Sequence, residues 1–399
     1  MMKRSLFVTG AVACVLTLSL VPTSATGVSG SSAASATAVS AAYPVNTSYK
    51  LTVSPVNYGG KYVVTATFPK SFKNRSVTLQ MKSGGKWKKV KTVKVAKTGR
   101  VAVTVKKAGS TQYRIVSAKW KSKKAFSTKA FSASTQWKTA FSDDFSGKTL
   151  NTAKWYNRQV DVYAGSRICA ATSTKNATVS GGKAKITLSK VSASSARAKA
   201  AVANAKVYYQ GLLAAATTSA DKAKYTKLVK NPCPYGVFDQ GHIATTTQFT
   251  HGIIAAKIKF PKQRGQHGGL WLQGMSGEDQ VEIDVAEFYG VKKNHKNELT
   301  SLLHLPGGTV ADRVGGYVKY IPKKTYYSSY HVFSVEWNKS SYIFRVDGVE
   351  TFRTSKRLTS DPHELILSLL TSDWEMPNLN TKKLPNSMLV DWVRVYQAK

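Results

Sequence analysis

Hydrophobic and polar residues alternate along most of this chain, which is the pattern of strands with one buried face. In "GIIAAKIKF" the alternate apolar residues share one face, and two lysines lie on the other. The same alternation recurs in "YHVFSVEW", "YIFRVDGVETF" and "SMLVDWVRVYQ". The pair Asp347-Gly348 inside the second of these stretches predicts a tight hairpin turn. Residues 138–399 are therefore predicted to be rich in strands.

A shorter alternation fills residues 47–135, where runs such as "YVVTATF", "SVTLQMK" and "RVAVTVKK" are separated by turn signals such as "NYGG" and "KSGGK". Several short strands at regular spacing predict a small antiparallel sandwich. The stretches "VTLQMKSGGKWKKVKTVKV" and "YRIVSA" resemble Ig-like β-sandwich modules of exported proteins. The segment contains no Asp or Glu. We therefore expect a basic Ig-like module ahead of the larger strand-rich region.

Three segments break the strand pattern. Residues 191–230 are rich in Ala and Lys, so their helical propensity predicts a helical insertion. Residues 26–46 are small and polar without periodicity, as in a low-complexity linker. Within residues 1–25, the charged pair Lys3 and Arg4 is followed by an apolar run and then by small residues, which is the pattern of a signal peptide. The protein is therefore expected to be secreted.

Removal of the signal peptide leaves Cys169 and Cys233, one on each side of the helical stretch. An even pair of cysteines in an exported chain predicts one disulfide. The alternative is two free, buried thiols. A disulfide here would tie the helical insertion to the strand-rich region.

The formal net charge is +39, from 59 basic and 20 acidic residues. Such a balance predicts an anionic partner or surface. We expect the basic module at 47–135 to hold the protein on an anionic cell-wall polymer or a similar surface. An exported protein rarely meets nucleic acid, so no dedicated nucleic-acid partner is expected. The alternative is adaptation of the whole chain to an unusual medium, since residues 138–399 are basic too.

Against this basic background, "VEIDVAEFYG" holds three acids, Glu282, Asp284 and Glu287. Residues two apart in a strand share a face, so Glu282 and Asp284 point the same way. Glu287 would point to the opposite face of a regular strand. A β-bulge between Asp284 and Glu287 adds one residue and returns Glu287 to the first face. We therefore predict a bulged strand with three carboxylates on one face.

Three carboxylates on one face suit several kinds of chemistry. A retaining glycosidase needs two carboxyl groups about 5–5.5 Å apart, one as nucleophile and one as acid/base. A third carboxyl group can tune the pKa of both. Clustered carboxylates can also bind Ca²⁺, or they can form a solvated acidic face. The apolar neighbours of the three acids argue against simple solvation, and the residues alone favour catalysis without excluding the other two uses.

The stretch "GLWLQGMSGEDQVEIDVAEFYG" resembles the signature of glycoside hydrolase family 16, in the E-x-D-x-x-E form of its laminarinase-like members. The likeness runs from "DDFSG" through "GHIATTTQFTHGIIAAKIKFP" to "LPNSMLVDWVRVYQ", and so covers residues 138–399. It implies an all-β fold, a concanavalin-like jelly-roll β-sandwich with a sugar-binding cleft. It also implies a retaining endo-β-glycanase that hydrolyses β-1,3- or mixed-linkage β-glucan by double displacement.

The resemblance also implies roles for individual residues. Glu282 matches the nucleophile, Asp284 the assisting acid and Glu287 the general acid/base. For the substrate-binding positions, packing in the core is the alternative to a place in the cleft. Those positions are Trp271, His304 and Trp374.

No cofactor is expected, because the family's chemistry uses no metal. Asp144 and Asp391 match positions of a structural calcium site on the face opposite the cleft. The helical insertion and "MSGEDQ", where many laminarinases have a Trp-Pro pair, depart from the laminarinase pattern. A galactanase or a cell-wall transglycosylase of the same family is therefore the alternative enzyme.

Two further alternatives are not enzymes. One is a non-catalytic carbohydrate-binding protein, and the other is a cell-surface adhesin built around the basic module. The presence of all three acids favours the enzyme. We expect a monomer whose principal partner is its polysaccharide substrate.

Overall fold

The computed structural model describes residues 43–274, 281–291, 299–305 and 309–399. The predicted signal peptide and most of the predicted linker lie outside these residues. Strands dominate the regular structure of the described part, which confirms the all-β prediction. None of the helices in these residues has the length and apolar character needed to span a membrane.

Residues 43–135 form two small sheets around one apolar core, and we call this region the N-terminal sandwich. Its strands are β1 (Val45–Asn46), β2 (Lys50–Val53), β3 (Tyr62–Thr67), β4 (Ser76–Ser83), β5 (Lys86–Lys94), β6 (Arg100–Val105), β7 (Tyr113–Ser117) and β8 (Phe126–Thr128). One sheet has the order β1-β8-β7-β4-β5, and the other has the order β2-β3-β6. Strand β5 is therefore an edge strand.

The first strand begins earlier than the predicted end of the linker. Val45 and Asn46 pair in parallel with Ser127 and Thr128, and the Ser127 amide donates to the Pro44 carbonyl at 2.9 Å. The free edge of β8 supplies backbone hydrogen-bond partners for these residues. The last residues assigned to the linker therefore belong to the sheet.

Residues 137–399 form a second, larger sandwich, which we call the C-terminal sandwich. Its strands are β9 (Trp137–Asp143), β10 (Trp155–Asn157), β11 (Ala170–Thr172), β12 (Ala177–Val179), β13 (Ala184–Lys190), β14 (Phe238–Phe249), β15 (Gly252–Lys259), β16 (His267–Gly274), β17 (Glu282–Phe288), β18 (Leu299–His304), β19 (Val314–Tyr317), β20 (His331–Asn338), β21 (Ser341–Val346), β22 (Val349–Thr354), β23 (His363–Leu370) and β24 (Asn386–Ala398). The order β19-β18-β17-β16-β23-β14 forms one layer, which continues through β13-β24-β15-β20-β21-β22 into the other. This nearly closed sandwich confirms the predicted jelly-roll class.

The core of the C-terminal sandwich lies between its two layers. Trp155 and Trp337 are fully buried there, together with Phe333 and Phe344. A two-residue turn joins β21 to β22, with φ of 50° at Asp347 and 80° at Gly348. Positive φ at both positions is the geometry that Asp-Gly favours, and the predicted hairpin is confirmed.

Two helices occupy the stretch predicted to be helical. They are α2 (Ala196–Ala214) and α3 (Ser219–Lys230), and each begins at a hydroxyl that caps it. Ser195 accepts from the Ala198 amide at 3.1 Å, and Thr218 accepts from the Asp221 amide at 3.0 Å. Such caps satisfy backbone donors that have no partner within the helix. The predicted disulfide between Cys169 and Cys233 is present, with Cα atoms 5.7 Å apart.

The two sandwiches are joined through a buried apolar interface. The short helix α1 (Ala133–Gln136) leads directly into β9, and the Gln136 side chain bonds the Val53 amide and the Leu51 carbonyl, at 2.9 and 2.7 Å. Tyr58 donates or accepts a hydrogen bond with Ser334 at 2.9 Å across the interface. The other buried residues of this interface are Val56, Val63, Ile253, Ala255 and Val332.

Candidate active site

Strand β17 has a bulge at the position that the spacing of the acids requires. Asp284 lies opposite Leu302 of β18 and Glu287 lies opposite Thr300, so three steps on β17 match two on β18. This register shift places Glu287 on the same face as Glu282 and Asp284. The predicted bulge is confirmed. The side chains on the other face are buried in the core: Ile283, Val285, Ala286 and Phe288.

His304 lies beside the two acids at the start of β17. Its Nε2 atom is 3.2 Å from Asp284 Oδ2 and 4.0 Å from Glu282 Oε1. Asp284 Oδ2 is buried and has no hydrogen-bond partner of suitable geometry among the described residues. Burial, assisted by the positive charge of Arg313, lowers the pKa of the His304 imidazole. A neutral imidazole is therefore in contact with the acids.

Two of the three acids, Glu282 and Asp284, have raised pKa values. Burial, followed by repulsion from Glu287, raises the pKa of Glu282 to about 7, although Arg158 and Arg167 act in the opposite direction. Burial, followed by the charges of Glu287 and Glu282, raises the pKa of Asp284 well above its usual range. Like charges this close do not all ionise together, so the cluster holds protons near neutral pH.

Two hydroxyl groups fix the position of Glu287. Tyr289 donates to Glu287 Oε2 at 3.1 Å, and Thr300 approaches the same oxygen at 3.3 Å. Burial, with the charge of Glu287 as the next cause, raises the pKa of Tyr289, so its hydroxyl stays protonated and remains a donor. Hydrogen bonds therefore hold the Glu287 carboxyl in place, and no described side chain forms an ion pair with it.

Trp271 lies directly opposite Asp284 on the neighbouring strand β16. Its indole nitrogen donates to Ser368 at 3.0 Å, and its ring stacks with His242 at a centroid distance of 5.8 Å. The Arg158 guanidinium lies 5.6 Å from the centre of the same ring. The structure thus places Trp271 beside the acids, half-buried and held by hydrogen bonding and stacking.

A cleft of about 530 Å³ borders the acid cluster. Its lining includes Tyr289 and Thr300, the two hydroxyls on Glu287, and also Arg313 and Trp374. The Trp374 side chain is 61% exposed, and its ring centre lies 6.3 Å from that of Tyr289. An exposed aromatic ring at the edge of a polar cleft is suited to stacking on a sugar ring.

A larger cavity, of about 780 Å³, lies between the two sandwiches, away from the acid cluster. Its lining includes Lys50 and the ion pairs of Glu350 with Arg100 and Arg353, at 3.5 and 2.7 Å. Glu350 is already paired there, and the lining includes neither Tyr289 nor Thr300, the two hydroxyls that contact Glu287. The smaller cleft beside β17 is therefore the candidate active site.

The sequence did not single out several residues that build the site. Tyr289, which lies two residues after Glu287, could have been found from its position. Arg158 and Arg167 approach the acids from the segment before β11, and Arg313 approaches from the turn before β19, so spacing gives no signal for them. Arg158 is held by Glu364 at 2.6 Å.

A metal ion is the other use of an acid cluster. Ligand atoms of Glu282, Asp284 and His304 lie within 4.8 Å of one another, the one such group of three among the described residues. Calcium prefers about six to eight oxygen ligands, which a set containing an imidazole fits poorly. Asp391 pairs with Lys257 at 2.7 Å and Asp144 accepts from the Ser146 amide at 3.3 Å, and a structural calcium at these two residues stays a prediction.

A nearly closed β-sandwich with clustered carboxyl groups beside an aromatic cleft defines a class of protein, the jelly-roll glycoside hydrolases. Within that class, the sequence model of glycosyl hydrolases family 16 matches residues 165–394. The match takes in more than half of the chain and all three acids, and the protein belongs to this family.

The protein is similar to glucan endo-1,3-beta-glucosidase A1 of Niallia circulans, with 24% identity over 198 residues. That stretch is 43% of this chain and 28% of the relative, so the likeness covers only part of the relative's length. Among solved structures, SCLam, a non-specific endo-beta-1,3(4)-glucanase from family GH16, has 17% identity and a TM-score of 0.50, with 66% of this chain and 92% of that chain covered. The endo-beta-1,3-glucanase of Pyrococcus furiosus has 19% identity and a TM-score of 0.49, with 67% and 96% covered. At these identities the solved structures show a likeness of fold alone.

Proposed function

We propose that this protein is a secreted, retaining endo-β-glycanase that hydrolyses β-1,3- or mixed-linkage β-glucan. The observation that carries the proposal is the bulge in β17, which aligns Glu282, Asp284 and Glu287 beside an aromatic cleft. Family membership supports glycoside hydrolysis, and the relatives named as endo-1,3-glucanases support a glucan as substrate. Three acids held on one face favour an enzyme over a non-catalytic sugar-binding protein.

In the first step the Glu282 carboxylate attacks the anomeric carbon of the sugar. The bond from that carbon to the glycosidic oxygen breaks, and the Glu287 carboxyl donates its proton to the departing oxygen. The products of this step are a shortened glucan and a sugar joined to Glu282 through an ester bond. The hydroxyls of Tyr289 and Thr300 keep Glu287 oriented toward the leaving oxygen.

In the second step a water molecule replaces the departed sugar. The Glu287 carboxylate removes a proton from the water as its oxygen attacks the anomeric carbon, and the bond to Glu282 breaks. Glu287 thereby regains its proton and Glu282 regains its charge. Two inversions at one carbon retain the original anomeric configuration.

Asp284 adjusts the charge of the cluster. Its buried carboxyl has a strongly raised pKa, so it is neutral beside Glu282 and can donate a hydrogen bond to the nucleophile. Arg158 and Arg167 oppose the burial that raises the pKa of Glu282 to about 7, so part of the protein carries the ionised nucleophile near neutral pH. The first step also needs the proton on Glu287, which donates it to the leaving oxygen. The reaction requires this distribution of protons.

The mechanism can be tested by proton NMR of the first-formed product. A retaining enzyme releases the β-anomer, which then equilibrates slowly with the α-anomer. An α-anomer at the earliest time would exclude double displacement.

The substrate can be tested by incubation of the protein with laminarin, barley β-glucan, agarose and carrageenan, followed by sizing of the products. We expect internal cleavage of laminarin or barley β-glucan. Cleavage of the galactans alone would overturn the proposed substrate. Products longer than the starting oligosaccharides would indicate a transglycosylase.

We further propose that the N-terminal sandwich holds the secreted protein on an anionic cell-wall polymer, with the protein acting as a monomer. Five lysines of the edge strand β5 support this role because their side chains are exposed and no acid lies in residues 47–135. They are Lys86, Lys88, Lys89, Lys91 and Lys94.

A further inference from the structure

A second groove lies next to the candidate active site, beneath the helical insertion. It has a volume of about 480 Å³, within the range of about 300–1,000 Å³ typical of ligand sites. One wall comes from α2 and α3, and the other comes from the segment after the disulfide. The aromatic residues of its lining are Tyr208, Tyr209, Tyr225, Tyr235 and Trp374.

Trp374 connects this groove to the candidate active site. The same side chain borders the cleft of Tyr289 and Arg313 and the tyrosine-lined groove. The cleft and the groove therefore share a residue, so a polymer that crosses Trp374 can occupy both. This continuity distinguishes the groove from an isolated surface depression.

The groove is held open by the local fold. The Asp373 amide donates to the Ser166 carbonyl at 2.7 Å, and the Asp373 carboxylate accepts from the Ile168 amide at 3.2 Å. These bonds attach the Trp374 segment to the residues just before Cys169, whose disulfide fixes the far side of the insertion. The walls are thus positioned before any ligand binds, which lowers the entropic cost of binding.

The chemistry of the lining suits a neutral sugar polymer. Tyr208 and Tyr235 are each 42% exposed, so their rings are accessible. A tyrosine offers an apolar ring face, which stacks on the C–H face of a sugar, and a hydroxyl, which bonds sugar hydroxyls. The charged side chains of the lining are Lys224 and Asp373, and Asp373 already accepts a backbone hydrogen bond. An ionic ligand would find little to pair with.

We propose that this groove is an additional binding site for the glucan chain, occupied by sugar units that extend beyond the cleft over Trp374. The inference rests on the proposed function for its ligand. It assigns a purpose to the helical insertion, which would make the enzyme prefer long chains over short ones.

The test compares hydrolysis of laminaritriose with that of laminariheptaose by the full-length protein. The double variant Tyr208→Ala/Tyr235→Ala removes both exposed rings. We expect kcat/KM on laminariheptaose to fall about tenfold through KM, with little change on laminaritriose. In Tyr208→Phe/Tyr235→Phe the rings remain, so most of the preference for the long chain should return.

Val207→Ala is the matched control, because Val207 precedes Tyr208 on α2, is 67% exposed and lies outside the groove lining. It should behave as the wild type on both oligosaccharides. An equal loss on both lengths in the Ala double variant, or no loss on either, would overturn the inference. If the wild type cleaves neither oligosaccharide and also leaves laminarin and barley β-glucan uncut, the proposed function is wrong. Binding of laminariheptaose, measured by tryptophan fluorescence, then tests whether the groove binds the glucan chain. Weaker binding by the Ala double variant supports the groove as a binding site, and unchanged binding rejects it.

Discussion

One buried ionisable group in each sandwich shows how different their surroundings can be. In the N-terminal sandwich the buried Arg75 donates three hydrogen bonds to neutral partners, Ser117 and the carbonyls of Ala118 and Lys124, at 2.6 to 2.9 Å, while its Nη1 atom has no described hydrogen-bond partner. In the C-terminal sandwich the buried Asp284 sits among other acids, with one oxygen lacking a described hydrogen-bond partner. Neutral hydrogen-bond partners stabilise the charged form of a buried group, whereas like-charged neighbours oppose it and shift its pKa. The contrast therefore points to the acid cluster as the functional part of the molecule.

The sharpest test of this contrast is removal of the acids. Glu282→Gln and Glu287→Gln should each lower kcat on laminarin by about 10³-fold or more, because each loses a group that makes a bond or transfers a proton. Asp284→Asn should keep a small residue of activity, since in the proposed mechanism Asp284 acts through its neighbours. Release of reducing ends measures the rates.

Glu350→Gln is the matched control for the acid variants, because Glu350 pairs with Arg353 and is not among the residues that line the cleft. Its rate should lie within about twofold of the wild type. A wild-type rate in Glu282→Gln would remove Glu282 from the mechanism.

The second test asks whether the two sandwiches, which differ in charge, unfold together or separately. Tyr58 is 5% exposed at their interface, so Tyr58→Ala should lower the free energy of unfolding by about 3 kcal/mol. Because both sandwiches contribute to the interface, we expect them to unfold in one melting transition at a lower temperature. Circular dichroism measures this transition. Val90→Ala, on the exposed side of β5, should change the free energy of unfolding by less than about 0.5 kcal/mol. Two separate transitions, with that of the C-terminal sandwich unmoved, would show that the interface contributes little.

This interface could not be predicted from the alternation of residues. Val63 and Val64 are adjacent in β3, yet both are buried, because one faces the C-terminal sandwich and the other faces the core of its own sandwich. The sequence shows two neighbouring valines but not which surface covers each. A strand buried on both faces needs a partner that only the tertiary structure reveals.

The candidate site was predictable where its parts lie close in sequence. The bulge followed from the period of a strand and from the need for three acids on one face. His304 and Trp271 lie on neighbouring strands, and the structure brings both to the acids. The arginines that adjust the acids could not be predicted, since nothing in the local pattern fixes where a distant segment crosses the sheet.

The third test uses pH. The raised pKa of Glu282, about 7 against an ordinary 4.5, means that the folded protein keeps a proton that the unfolded chain loses in this window. The folded state binds more protons, so stability falls as pH rises from about 4.5 to 7. The N-terminal sandwich adds nothing to this slope, because residues 47–135 contain no Asp, Glu or His.

Glu282→Gln should therefore be more stable than the wild type at pH 7, by up to about 3 kcal/mol, and similar to it near pH 4.5. Urea unfolding at several pH values measures the difference. A constant difference across the window would show that Glu282 does not hold the extra proton.

The smallest expected effect concerns the exposed lysines of β5, which test whether the charge of the N-terminal sandwich serves attachment alone. Lys88→Gln/Lys89→Gln/Lys91→Gln should weaken binding to isolated cell walls about fivefold at low salt, since each exposed charge contributes a few tenths of a kcal/mol and salt screens it. Hydrolysis of soluble laminarin should not change.

Substitution is a cleaner test than removal of the sandwich, which would expose Ile253 and Ala255 to water. Lysine also protects an edge strand from pairing with other chains, so the variant must stay monomeric for the comparison to hold. The matched control replaces three exposed lysines of the C-terminal sandwich, Lys148, Lys175 and Lys185. An equal loss of binding in this control would mean that attachment depends on net charge and not on the N-terminal sandwich.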